Sequence, residues 1–228
     1  KTLRARLPYS IPLFCGDTAA VVDAVEGGES KAEWEGNEEE GIITIVPSDA
    51  YSRVNRRLRE EGQEWEAPTA EELDCERCGD CGAPRAVAEL FRWDESGPLI
   101  FERATGRRYC FNNTNGITAV LELLALELGE EVREKMLQIV REHSWNLYAG
   151  LGGGLDHWKE LESYPYRGWG RSLASRAGGG ELAVEVASPY SAVLLTGRIW
   201  GMEEAALGRT LRLVGLHAGD DRLRLTLA

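Results

Sequence analysis

A chain of 228 residues, 43% hydrophobic and 28% charged, is ordinary globular material, long enough for one large domain or two small ones. Its 38 acidic residues against 26 Lys and Arg give a net charge of −12, which lacks the cationic surplus needed to hold a nucleic-acid backbone or an anionic membrane surface. No apolar run approaches the ~20 residues of a spanning helix, and no basic-then-apolar leader reads at Lys1-Thr2-Leu3-Arg4, so a cytoplasmic protein that neither enters membranes nor binds nucleic acid is expected.

Leu3-Arg4-Ala5-Arg6-Leu7 alternates apolar and charged side chains, the period of a half-buried strand. Ser10 stands as an N-cap with Pro12 in the first turn, Ile11, Cys15, Ala19 and Val22 recur at helical spacing, and Gly27-Gly28 stops the helix. Strands are expected over Ser30 to Glu35 and Ile42 to Pro47, joined by an acidic turn at Asn37 to Gly41. A short helix marked by Tyr51, Val54 and Leu58 carries Arg53, Arg56, Arg57 and Arg59, which read as a solvated face.

Next comes Cys75-Glu76-Arg77-Cys78-Gly79-Asp80-Cys81-Gly82-Ala83-Pro84, a Cys-x2-Cys-Gly-x-Cys stretch. Thiolates at this spacing are presented together to one soft metal. Cys78-x2-Cys81-Gly-x-Pro reads as a zinc knuckle, while the whole reads as the opening of a loop for a 4Fe-4S cluster. Either metal needs a fourth ligand, for which Cys110 is preferred and Cys15, on the apolar stripe of the first helix, is the alternative. Zinc is the expected cofactor and the cluster its alternative. An odd, clustered set of cysteines suits a reducing compartment better than a disulfide framework.

Glu89 to Asp94, Leu99 to Arg103 and Arg107 to Phe111 read as strands, the last two flanking the turn Thr105-Gly106. A long helical stretch follows. Ile117, Val120, Leu121, Leu124 and Leu128 form one stripe, Gly129-Glu130 is a kink, and Val132, Met136, Val140, His143 and Leu147 continue the stripe, which makes His143 a core residue. His157, beside Trp158, is the best acid/base candidate among the three histidines. Strands are expected over Gly168 to Ala174 and Leu182 to Val186, then a helix from Ser191, then alternating strands at Leu211, Leu213 and Leu223, Leu225, Leu227.

The two ends repeat. Pro8-Tyr9-Ser10 and Pro189-Tyr190-Ser191 stand 181 residues apart (Pro8 to Pro189), and at that offset Leu13 meets Leu194 and Gly16 meets Gly197. Both copies read strand–helix–strand–strand. The fold class expected is therefore α/β of the α+β type, with mixed or antiparallel sheets and packed helices. The expected organisation is one body over 1–228: a repeat unit at 1–50, a cysteine loop and hairpin at 70–113, and an α/β region at 114–228.

Trp145, Trp169 and Tyr190 are candidates to line an apolar pocket. Gly197 and Gly201, one helical turn apart, let a backbone or a ligand come close. These five residues form the expected ligand site, between the helix from Ser191 and the helices after Gly116.

From Ile117 onward, long helices, Gly168-Trp169-Gly170, Ser188-Pro189-Tyr190, the helix with Leu194, Leu195, Gly197, Gly201 and Glu203, and a closing hairpin at Gly219 together resemble the 4-vinyl-reductase domain. The resemblance implies an α/β domain that binds small, often hydrophobic ligands, of a kind found in bacteriochlorophyll biosynthesis and in regulators, some members carrying metal-binding cysteines. The cysteine often found in the family's final hairpin is replaced here by Leu216-His217. The function expected is a binding or sensor protein for a hydrophobic or tetrapyrrole-like ligand, with a cysteine-bound metal. A reductase or accessory enzyme of tetrapyrrole metabolism and a structural subunit with a metal-stabilised docking loop are the alternatives. A homodimer or a partner protein is compatible with each.

Overall fold

The computed structural model describes residues 1–48, 75–80, 82–94, 96–97, 99–111, 114–151, 157–178, 180–219 and 221–228. The helix expected at Tyr51 to Leu58, with its four arginines, lies outside them, as does Cys81. Where the sequence reading has one body, packing groups the chain into two compact units, Lys1–Glu64 and Trp65–Ala228.

In the N-terminal unit, β1 (Thr2–Arg6), α1 (Ile11–Glu26), β2 (Ser30–Gly36) and β3 (Glu40–Pro47) follow in order. The strands pair antiparallel in the order β1-β3-β2. Ile43 and Ile45, alternate residues of β3, point to one face and pack with Cys15 of α1. Asn37 turns the hairpin, its Oδ1 accepting from the Glu39 and Glu40 amides at 2.8 and 2.9 Å.

In the C-terminal unit the first described residues are 75–80 of the cysteine stretch, and α2 (Arg85–Leu90) follows. A small antiparallel sheet follows, of β4 (Phe91–Asp94), β5 (Leu99–Glu102) and β6 (Arg108–Tyr109). The strand expected from Glu89 thus starts only at Phe91, because Arg85–Leu90 completes a helical turn first. Next come α3 (Thr114–Leu128) and α4 (Glu131–Ala149). The expected kink is a full break: Gly129 has φ +103°, and a Cβ there would meet the Glu131 carboxylate at 2.7 Å.

After α5 (His157–Ser163) a 3₁₀ turn, Pro165–Arg167, ends at left-handed Gly168. β7 (Arg171–Gly178), β8 (Glu181–Ala187), α6 (Ala192–Leu207), β9 (Leu213–Gly219) and β10 (Arg222–Leu227) complete the unit. Their sheet runs β7-β8-β10-β9, all antiparallel. Alternation in β8 and β10 turns Val184, Val186, Leu223, Leu225 and Leu227 inward, where they bury Leu195, Ile199 and Met202 of α6. Each such side chain contributes about 1.5–3 kcal/mol by leaving water.

The internal repeat is structural. β8-α6-β9-β10 has the element order of β1-α1-β2-β3, and both sheets place the third strand between the other two. Ser10 and Ser191 are N-caps with nearly the same angles, φ −162° and −161°, and both helices close on a left-handed glycine, Gly27 and Gly208, again 181 apart. Leu7 and Ser188, also matched, both adopt positive φ, at 49° and 46°. Such angles are uncommon away from glycine, so this backbone turn belongs to the motif. Tyr9 and Tyr190 open the same kind of element.

Candidate ligand-binding cavity

A cavity of ≈ 900 Å³ opens in the C-terminal unit, walled by α4, α5, the 3₁₀ turn, α6 and the β5–β6 hairpin. Its floor holds two arginines that the sequence reading did not single out. Arg167, with 3% of its side chain exposed, spreads its guanidinium across three partners. Nε donates to Ser163 Oγ at 2.9 Å, Nη1 to the Tyr109 hydroxyl and Nη2 to the Glu102 carboxylate. Arg198, on α6, donates through Nη2 to the Tyr148 hydroxyl (2.7 Å) and to Glu160 Oε1 (3.1 Å). Tyr148 in turn donates to the same Glu160 oxygen at 2.5 Å. The Trp169 ring lies beside both guanidiniums, 4.0 Å from Arg198 and 5.1 Å from Arg167.

Local sequence sets this geometry. Pro165 starts the 3₁₀ turn and Gly168 ends it, so Arg167 points back across α5 to Ser163. On β5, Glu102 faces inward while Phe101 stacks on Arg92 outside, the strand alternation applied to a charged residue. Arg198 sits next to Ile199 on the buried side of α6.

Electrostatics fix the protonation states. Burial works against the Arg198 charge, but Tyr148, Tyr164 and Glu160 outweigh it and raise its pKa above the ordinary arginine value. For Arg167 burial is likewise offset, by Tyr109, Glu160 and Glu102. Burial pushes up the Glu102 carboxyl, yet the Thr105 hydroxyl and Arg167 more than compensate and hold it below the usual range. Burial raises the Tyr109 and Tyr148 phenols, and pushes Tyr190 up to about 12. The floor is thus a set of fixed hydrogen-bond donors and paired ions, suited to binding a polar group rather than to moving a proton.

None of the five ligand residues expected from the sequence lines this cavity. Gly197 and Gly201 face the α4 backbone, where a Cβ would strike the Leu137 and Arg141 carbonyl oxygens; the close approach they permit is helix to helix. Trp145 is half exposed on α4. Trp169 and Tyr190 lie behind the floor with Tyr164, whose ring is edge-on to Trp169 at 5.3 Å, while the Tyr190 ring is tilted against it at 6.4 Å. His143, read as a core residue, is exposed and stands at the cavity wall. The seam of α4 uses Leu137, Arg141, Ser144 and Tyr148, and that face turns His143 outward. The His157 side chain lies outside the described residues.

At the cysteine stretch, Cys78 N–H donates to the Ala83 carbonyl (2.8 Å) and Gly82 N–H to the Cys78 carbonyl (2.9 Å), with a bridge between Arg77 and Pro84. Gly82 has φ +70°, the left-handed angle that a tight turn asks of glycine. Cys75 and Cys78 are half-buried, Cys110 is exposed, Cys15 is buried in the N-terminal unit, and none of these four forms a disulfide. Among the described residues no group of three His, Cys, Asp or Glu side chains is placed to hold a metal. No described helix is long and apolar enough to cross a membrane.

No family model matches the chain, and no curated protein matches it. Among solved structures it is similar to the phenol-responsive sensory domain of the transcription activator PoxR, crystallised with phenol. The match has 16% identity and a TM-score of 0.47, over 63% of this chain and 86% of that one.

Proposed function

We propose that the C-terminal unit is a small-molecule-binding module, of a sensor or carrier kind. The observation that carries this is the ≈ 900 Å³ cavity with a floor of ordered, paired polar groups. A volume of this order fits a ring-bearing ligand, and a few fixed polar groups among rings are what orients one. The resemblance to 4-vinyl-reductase domains belongs to the same reading. Ala104 lines the cavity from the β5–β6 turn with an exposed side chain, so Ala104→Trp obstructs the cavity without removing a polar contact. In a thermal-shift panel of ring compounds, binders are expected to raise the wild-type Tm by several degrees and to leave the Ala104→Trp variant unmoved. Compounds that stabilise both equally bind elsewhere, and a panel without any binder returns the unit to a structural role.

We also propose a metal, zinc before a 4Fe-4S cluster, held by Cys75, Cys78 and Cys81 with Cys110 as fourth ligand. The turn at Cys78 and left-handed Gly82 support it, since a knuckle needs such a turn to present its sulfurs. Four thiolates at about 2.3 Å would close a zinc site and make it structural. Elemental analysis should find about one zinc per chain, lost in Cys78→Ser; unchanged metal in that variant rejects the site. Retention in Cys110→Ser rejects only the fourth ligand.

A further inference from the structure

We propose that the protein has a second binding site, a cavity of ≈ 190 Å³ between the β7–β8 hairpin and the carboxyl end of α6, where the Glu203 carboxylate holds the ammonium group of a small apolar primary amine. The site shares no lining residue with the larger cavity, so it stands apart from the function proposed above.

The lining sets the body of the ligand. Trp158 and Leu207, both exposed, stand at the rim, while Leu182, Leu211 and Leu227 are buried and form the floor. An apolar cavity of about 150 Å³ takes benzene, so this one has room for a single ring with a short arm.

Glu203 sets the head. It is the most buried charged residue of the lining, 2% exposed, and its Oε1 has no hydrogen-bond partner among the described residues. A buried carboxyl oxygen left unpaired costs stability. The fold does not require one here, because Val22 holds the matching position of the N-terminal copy and packs against the core of its own sheet. A costly group that the motif can do without is accounted for by a ligand that brings the missing donor.

The donor is a cation. Glu181 and Arg209, the other charged residues of the lining, are exposed, and Arg209 Nη2 donates to the Gly180 carbonyl at 3.4 Å. Burial raises the Glu203 carboxyl to about 7, and no charge among the described residues offsets it. An ammonium supplies that countercharge together with its N–H donors, which a neutral ligand does not. The helix end acts in the same sense. α6 closes at Gly208 beside the cavity, and the carbonyls of a helix's last turn carry partial negative charge that favours a cation.

Calorimetric titration of the full chain at pH 8 with benzylamine and with its neutral analogue benzyl alcohol tests the site. Benzylamine is expected to bind about tenfold tighter, the scale of one charge-assisted contact. Glu203→Gln keeps the shape and removes the charge, and should abolish that preference. Glu181→Gln should retain it, and Ala104→Trp, which obstructs only the larger cavity, should leave benzylamine binding unchanged. A chain that does not bind benzylamine, equal binding of the two probes, or a preference that survives Glu203→Gln overturns the inference. Loss of the preference in Glu181→Gln moves the contact to the rim and overturns the role of Glu203. Loss of binding in Ala104→Trp places the amine in the larger cavity, which overturns the second site and leaves the binding module standing.

Discussion

Gly201→Ala is expected to destabilise the C-terminal unit by about 2 kcal/mol, and Gly201→Val to abolish its cooperative unfolding. An added Cβ at Gly201 would fall on the Arg141 carbonyl and within 2.9 Å of the Trp145 amide nitrogen. These are backbone atoms of α4, so relief requires the helices to part. The same seam holds the two-pronged pair of Arg141 with Glu204, at 2.8 and 2.6 Å, and the Arg141 guanidinium 4.0 Å from the Trp200 ring centroid. Parting the helices pulls on all three. The matched control is Gly16→Ala. Gly16 occupies the place of Gly197 in the other copy of the repeat, but nothing lies within 4 Å of a Cβ there. Alanine should then stabilise α1 by roughly 0.5–1 kcal/mol through helix propensity alone. Calorimetric unfolding of the three variants checks both signs; a destabilising Gly16→Ala, or a neutral Gly201→Ala, contradicts the packing argument.

The pair also shows what a sequence can convey. Pro-Tyr-Ser at both ends, with glycines at one fixed offset, announces the repeat because capping and turn chemistry are local and leave local marks. Strand alternation from Leu182 to Val186 and from Leu223 to Leu227 likewise anticipates the inner sheet face. The glycines at 197 and 201 mark a close approach, but not to what; the answer lies on α4, some sixty residues earlier. The cavity floor was illegible for a related reason. Glu102, Tyr109, Tyr148, Glu160, Arg167 and Arg198 come from six separate elements, and a single chain carries no sign of which charges pair across elements. One signal was present. Arg198 interrupts the apolar run from Leu194 to Met202, and a charge on a buried helix face requires a buried partner. His143 falls on the apolar stripe of α4 by spacing, but the helix packs through Arg141 and Ser144, which leaves His143 exposed.

Glu203→Gln is expected to stabilise the protein above neutral pH and to change nothing near pH 4.5. Glu203 is 2% exposed on the core side of α6, and its Oε1 has no hydrogen-bond partner among the described residues. Burial lifts its carboxyl from 4.5 to about 7. The group is therefore protonated in the folded state through a range where the unfolded chain has already ionised. Below pH 4.5 both states hold the proton and the residue costs little. Between 4.5 and 7 the folded state binds more proton than the unfolded one, so stability falls as pH rises. Above 7 the loss levels off at roughly 3 kcal/mol, each pKa unit being about 1.4 kcal/mol. Glutamine keeps the shape and removes the ionisation. Its Tm should coincide with that of wild type at pH 4.5 and exceed it by about 5–10 °C at pH 8, the shift such an energy gives in a chain of this size. The repeat adds an independent arm. At the same offset of 181 the N-terminal copy carries Val22, which packs against the apolar core of its own sheet, so the motif accepts an apolar side chain there and Glu203→Val should follow glutamine at pH 8. A wild-type Tm that runs parallel to both variants from pH 4.5 to 8 would show that Glu203 ionises freely, and that its carboxylate has found a partner in solution.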